Sequence, residues 1–325
     1  MSIKKYEMNE ELYRSDIFSY CEGKQYRLHL MRLMPMYTYG DPYYRTKRGL
    51  MRWRCMLDLK YMFLNVLHKG GQWGKVHDAL MPDLEKYILY ACYLGALKDG
   101  RIKKYPEKYR QQLSNYISKI DKKAMYLCYR GFFKTTLISI DMDTSMILVN
   151  PDIRIMVMSG SKGNSESIVG SIKSYFTEND LFRYLFPEYC PVPSMTGKIT
   201  FGTLERFTVP NRRISGYREP TVFAVSPNTK LAGYHFDYHD HDDIIDEKNV
   251  NTEDTLKKAK SAYKLSLSLF DNTTKPFSTI IGTHYHSLDL YMDLKKEQCN
   301  GLGEYEYDTY NPIDDKIVKK KRRAS

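Results

Sequence analysis

The chain has 325 residues, 42% hydrophobic and 27% charged, enough for one large α/β core or two smaller ones and ordinary for a soluble globular protein. Its 50 basic residues against 39 acidic ones give a net charge of +11, which favours polyanionic partners, nucleic acid above all, unless the excess only aids solubility. Apolar stretches such as 86–98 fall short of the ~20 residues of a membrane span, and the start MSIKKYEMNEEL lacks the apolar core and cleavage site of a secretion signal. Six scattered cysteines without a C-x-x-C pair exclude the usual structural zinc pattern and make a reducing cytosol the default.

Residues 1–55, including YRLHLMRLMPMYTYGDPYYRTKRGLMRWR, are basic and aromatic and are broken by Pro35, Gly40 and Pro42. They read as an extension with short helices. Its interleaved Arg and Tyr could stack on bases or hold phosphates, but the favoured reading packs the aromatics on the main domain and leaves the charges in water. From 55 to 122 the apolar spacing is helical, in MLDLKYMFLNVL, HDALMPDLEKYILYACYLGAL and PEKYRQQLSNYISKI.

At 124 the character changes. AMYLCY is a strand-length apolar run, RGFFKTT a turn, and LISIDMDTSMILV a helix; IRIMVMS is the next strand. SKGNSESIVGSIKSYFTENDLFRYLF reads as a loop and an amphipathic helix stopped by Pro187. Then come the short stretches KITFG, RFTVP and TVFAVS, the segment FDYHDHDDII, a polar helix in NTEDTLKKAKSAYKLSLSLF, and FSTIIGTHYH. Strands alternating with helices over 124–284 predict a largely parallel sheet covered on both faces. The main domain is expected to span 56–295, with its core at 124–295. Residues 296–325 read as a polar linker ending in a disordered basic tail, KIVKKKRRAS.

Three strand ends carry the chemistry. Lys134-Thr135 follows a strand and opens a helix, as in a phosphate loop, although Cys128 and Phe133 stand where G-x-x-x-x-G-K-[ST] has glycine. Backbone N–H groups at such a turn face an anion. Lys134 would pair with phosphates, the Thr135 hydroxyl would reach Mg²⁺, and Arg130 adds a second positive charge. Asp242-Asp243 is an acidic pair at a strand end, the first carboxylate suited to Mg²⁺ and the second to a catalytic base. Its strand reads Tyr238-His239-Asp240-His241 rather than apolar, so two other readings stay open. His239, Asp240, His241 and Asp243 could bind a metal, or the segment could be a polar edge strand. Gly282-Thr283 ends the third strand, where a hydroxyl could approach a γ-phosphate.

In these segments the chain from about 70 to 294 resembles the ATPase domain of the large terminase subunit of tailed double-stranded DNA bacteriophages. The resemblance is carried by YRGFFKTT, ISIDMDTSMILVNPDIRIMVMSGS, TENDLFRYLFPEYCP, REPTVFAVSPNTKLAGYHFD leading to the acidic pair, and IIGTHYHSLDLYMDL, in that order. It implies an α/β fold of the P-loop NTPase, RecA/ASCE-like class, with ATP and Mg²⁺ as cofactors. It also implies a motor that translocates viral double-stranded DNA into a procapsid in the host cytoplasm. A homo-oligomeric ring, a portal protein, a small terminase subunit and a nuclease domain or chain would be its partners.

By the same resemblance Arg130, Gly131, Phe132, Phe133, Lys134, Thr135 and Thr136 would bind the nucleotide. Asp242 and Thr135 would hold the metal, Asp243 would be catalytic with Arg130, and Gly282 and Thr283 would form the coupling motif. Relatives often follow that threonine with arginine, where this chain has His284. Arg212, Arg213 and Arg218 are further possible charge stabilisers. The acids after 295 (Glu304, Glu306, Asp308, Asp314, Asp315) lie in a segment expected to be too short for a sheet, so nuclease activity is not expected. The alternatives are a nucleic-acid-binding protein with a degenerate, non-hydrolysing loop, or a helicase-like ATPase.

Overall fold

The computed structural model describes residues 24–34, 47–68, 73–128, 131, 133–197, 200–229, 231–245, 253–271, 275–283, 290–299, 306–311 and 316–320. Helices α1 (Gln25–Leu33) and α2 (Lys47–Leu57) precede the short α3 (Leu59–Met62), which runs on into a π-helical turn over Phe63–Leu67. The Asp58 side chain caps α3 by accepting from the Tyr61 amide at 2.9 Å. The long α4 (Lys75–Lys98) and α5 (Glu107–Ile117) follow.

Strand β1 (Lys123–Leu127) leads to a helix that is π-helical over Thr135–Met142 and α-helical over α6 (Asp143–Val149). Thr144 and Ser145 donate their hydroxyls back to the carbonyls of Ile140 (2.7 Å) and Asp141 (2.9 Å), giving partners to carbonyls at the junction of the two helical registers. Next come β2 (Ile155–Ser159), α7 (Lys162–Thr177), α8 (Asp180–Leu185), β3 (Arg206–Phe207) and β4 (Val222–Val225). The chain continues through β5 (Tyr238–Asp242), α9 (Glu253–Leu267), β6 (Phe277–Gly282), α10 (Leu290–Cys299), β7 (Glu306–Asn311) and β8 (Lys316–Lys320).

The strands form one sheet in the order β3-β4-β2-β5-β6-β1-β7-β8. From β4 to β7 every neighbouring pair is parallel, and only the outermost pairs, β3 with β4 and β7 with β8, are antiparallel. The fold is therefore α/β with a mostly parallel sheet flanked by helices, as the alternation of strands and helices predicted. Side chains alternate with the two-residue period of a strand. Met125, Leu127, Met156, Met158 and Ile280 enter the core beneath α9 and α10, whereas Ala124, Tyr126, Ile155, Val157 and Ile281 enter the larger core beneath α4, α6 and α7.

Three sequence expectations need correction. Strand β5 is not an edge: it lies between β2 and β6 and all five of its residues are buried, so its polar side chains have their partners inside the protein. Residues 306–311 and 316–320, expected in a linker and a disordered tail, are strands that extend the sheet beyond β1. Pairing there satisfies backbone groups that would otherwise line an open edge, a requirement that polar composition does not prevent. In the N-terminal region Tyr26, Leu30, Leu33, Cys55 and Met56 join the main core, but not all the charges stay in water. The buried guanidinium of Arg27 pairs with Glu85 at 3.1 Å and Asp58 at 3.2 Å, and that of Arg52 pairs with Glu188.

Candidate active site

The carboxyl ends of β1, β5 and β6 meet because β6 lies between the other two. Hydrogen bonds past the ends of the strands fix this meeting point. The Cys128 amide donates to the Gly282 carbonyl (3.0 Å), the Asp243 amide to the Ile281 carbonyl (2.9 Å), and the Gly160 amide to the Asp243 carbonyl (3.2 Å). The Thr283 hydroxyl donates to the Cys128 carbonyl at 3.1 Å, tying the end of β6 to the first residue of the loop that leaves β1.

That loop turns through two left-handed residues, Gly131 (φ 83°) and Phe133 (φ 55°). Phe133 thus takes a backbone conformation that favours glycine, and its ring is turned out, 45% exposed. With its ring in solvent, the phenylalanine meets no packing conflict that would bar it from this conformation. A non-glycine residue in this region costs roughly 1–2 kcal/mol, and glycine's extra unfolded-state entropy offsets roughly 0.5–1 kcal/mol of the relief. Phe133→Gly is accordingly expected to raise stability by about 0.5–1 kcal/mol, seen as a higher urea midpoint. A lower midpoint would mean that the exposed ring contributes packing.

The first turn of the following helix then meets the acidic pair. The Lys134 ammonium, almost buried, pairs with Asp243 Oδ2. The Thr135 hydroxyl donates to Asp242, lying 3.1 Å from Oδ1 and 3.0 Å from Oδ2. Thr136 is half-buried on the next position. Asp243 itself sits at φ 42°, so both sides of the lysine–carboxylate pair rest on left-handed backbone, one just before Lys134 and one at Asp243. Arg130, Phe132 and His284 lie outside the described residues.

Beneath this layer lies a second set of polar groups, two of which, Ser139 and Asp143, motif reasoning passed over. Ser139 and Asp143 follow Thr135 along the same helix, and Asp240 precedes Asp242 on the same face of β5; Ser139, Asp143, Asp240 and Asp242 are all buried. The signal was available as spacing: Thr135, Ser139 and Asp143 recur every four residues along the helix, which places them on one face. Burial pushes the Asp240 carboxyl well above the usual range, and the charge of Asp242 pushes it further. Asp143 is raised in the same way, by burial and then by Asp240 and Asp242. Burial also lifts Asp242, to about 7, with Lys134 pulling down and Asp243 pushing up. Burial and mutual repulsion thus disfavour the charged forms of Asp143 and Asp240, the two carboxyls farther from the loop.

The strand that raised the metal-cluster reading divides its side chains between the two faces of the sheet. His241 Nε2 meets Ser266 Oγ on α9 at 2.9 Å and Nδ1 meets the Thr279 carbonyl at 3.3 Å, while His239 stacks on Phe270 with ring centroids 3.9 Å apart. Burial lowers both imidazoles, His241 to about 4 and His239 well below its usual value, with His241 adding to the effect on His239. Asp240 points to the opposite face and Asp243 to Lys134. The four residues do not converge, and no group of three or more His, Cys, Asp or Glu among the described residues is arranged to hold a metal ion.

Arg212 and Arg213 are not brought to this end of the sheet. Arg213 pairs with Asp152, ahead of β2, and with Asp99, and Arg212 donates to the Glu219 carbonyl ahead of β4. Arg218 lies over the ring of Tyr234. All three therefore lie around the amino ends of the strands or the far edge of the sheet, not beside Lys134.

Mg²⁺ does not need a protein cage, since it is commonly held by one or two carboxylates together with substrate phosphates. The groups around Asp242 are the hard oxygen donors it prefers. Besides Thr135 Oγ1 they include Asp243 Oδ1 and Ser159 Oγ, both buried and without a hydrogen-bond partner among the described residues. Ser159 stands opposite Asp242 in the β2–β5 register. The donor set fits the ion. No protein-family model matches the chain, and no curated protein matches it.

Proposed function

We propose that the protein is an Mg²⁺-dependent ATP hydrolase of the P-loop, RecA/ASCE-like class, acting as the ATPase motor of a phage terminase that drives double-stranded DNA into a procapsid. The observation that carries the reading is one juxtaposition: Lys134 and Thr135, opening the helix after β1, lie against Asp243 and Asp242 at the end of β5. The insertion of one strand, β6, between the two supports this reading. The motor assignment draws on the five ordered segments of terminase resemblance and on the +11 charge.

In this reading the amides of Gly131, Phe133 and Lys134 and the Lys134 ammonium receive the β- and γ-phosphates. Thr135 and Asp242 would hold Mg²⁺, which when bound neutralises charge developing on the phosphate oxygens. Asp243, released from Lys134 as the phosphates take its place, orients the attacking water and accepts its proton. The Thr283 bond to Cys128 joins the end of β6 to the base of the phosphate loop, so a shift of the loop on hydrolysis would be felt at Thr283. A portal, a small terminase subunit, a ring of copies and a separate nuclease belong to the same proposal.

Lys134→Ala tests the core of it. Hydrolysis is expected to fall at least ~10²-fold in the presence of DNA and procapsids, with the thermal unfolding midpoint kept within a few degrees. Undiminished turnover would remove the phosphate-loop assignment. DNA binding without turnover in the unmodified protein under the same conditions would instead favour the non-hydrolysing alternative.

A further inference from the structure

At the far edge of the sheet from Lys134, residues 202–220 around β3 and the loop before β4 border a shallow cleft of about 590 Å³ that hydrolysis does not use. Its walls carry Arg206, Arg212 and Arg218, and each guanidinium lies over an aromatic ring. Arg206 is 5.6 Å from the centroid of Phe223, Arg212 5.2 Å from that of Tyr217, and Arg218 4.5 Å from that of Tyr234. None of the three forms an ion pair with another described residue; the ion pairs of this region fall to Arg154, Arg213 and Lys162.

Glu219 is the one carboxylate of the lining, and it is already engaged. Its Oε1 accepts from the His235 amide at 2.9 Å and its Oε2 lies 3.5 Å from Arg154. Arg212 reaches only the Glu219 carbonyl, through Nη1 at 2.6 Å, while its Nε and Nη2 are buried with no hydrogen-bond partner among the described residues. Leaving two guanidinium donors desolvated is costly unless an incoming acceptor completes them. Aromatic backing fixes the plane of each guanidinium and leaves its edge for bidentate contact with an oxyanion.

We propose that this cleft binds phosphate groups of a nucleic-acid backbone, with Arg206 and Arg218 on the rim and Arg212 at its floor. The choice of duplex DNA as the strand rests on the motor reading; the phosphate site itself rests on the cleft alone. A ring of copies would then present to the duplex a surface well separated from the nucleotide.

The test is fluorescence anisotropy of a labelled 30-base-pair duplex with the full chain, without nucleotide, over a series of salt concentrations. Arg206→Ala/Arg218→Ala, both at exposed positions, should weaken binding at least tenfold at low salt. It should also reduce the slope of log K against log[salt] by about 2, close to one for each phosphate that is no longer neutralised. Arg212→Lys, which keeps the charge but loses the fork, should weaken binding without a comparable change of slope. Unchanged affinity and slope in the double variant would overturn the proposal. So would full displacement of the duplex by millimolar inorganic phosphate, which would make the cleft a site for small phosphates. The two readings fail separately: active Lys134→Ala with a defective double variant removes the motor and keeps the cleft, and the reverse pattern removes only the cleft.

Discussion

Asp243→Asn is expected to bind ATP more tightly than the unmodified protein while hydrolysing it some 10²–10⁴-fold more slowly. The two effects have separate physical origins. The loss of turnover follows from removing the carboxylate that would take the proton of the attacking water, since an amide has no comparable basicity. The gain in affinity follows from the ion pair between Lys134 and Asp243, which the nucleotide phosphates must displace before the ammonium can serve them. A neutral amide holds the lysine less strongly. Because the pair is partly open to solvent, the gain is on the order of 1 kcal/mol, roughly fivefold in Kd. Asparagine is the informative substitution because it tolerates the left-handed backbone at 243 as well as aspartate does. Titration with a fluorescent ATP analogue and single-turnover hydrolysis read the two effects independently. Weaker binding would mean that Asp243 does not compete for Lys134, and an unchanged single-turnover rate would remove it as the base.

The parts of this site that could be read from the residues are those whose chemistry is local. Lys134 follows its strand after one short loop, Asp242 and Asp243 end theirs, and a parallel α/β sheet places the carboxyl ends of its strands along one side whatever joins them. The neighbourhood of β5 was not legible in that way. A strand reading Tyr-His-Asp-His-Asp looks like a surface strand until its partners are known. Those partners, Ser266 and Thr279 for His241 and again Thr279 for Asp240, come from elements that follow it by 25 residues or more. The conformation at Phe133 ran against its own residue type, since composition argued for glycine and the fold imposed glycine's dihedral angle on phenylalanine. The strands at 306–311 and 316–320 were hidden for another reason. Their place depends on backbone pairing with β1 and with each other, which leaves no period in the side chains.

Asp237→Ala carries the largest expected loss of stability, about 3–5 kcal/mol. This fully buried carboxylate lies just before β5 and holds two cations at once. Arg154 donates to it through its amide (3.0 Å), Nε (3.1 Å) and Nη2 (2.8 Å), and Lys98 through Nζ (2.6 Å). Arg154 also reaches Asp271 and Glu219, so part of its charge stays compensated in the variant. Lys98 has no second ion pair among the described residues and is left in a buried site. The cost is mainly that of an orphaned cation rather than the worth of the original pair. Replacing Lys98 with methionine in the Asp237→Ala background should therefore recover part of the loss. The pH dependence has a definite sign. Burial alone would raise the Asp237 carboxyl, but the hydrogen bonds and charges of Arg154 and Lys98 outweigh it and hold it below its ordinary 3.8. A carboxylate depressed in the folded state contributes stability that is complete above its unfolded value and is lost as pH falls through the folded one. Urea unfolding of the unmodified protein should weaken below about pH 4. The variant, already without this contribution, should follow a flatter curve over the same range. Parallel curves would show that other buried carboxylates, not Asp237, govern the acid limb.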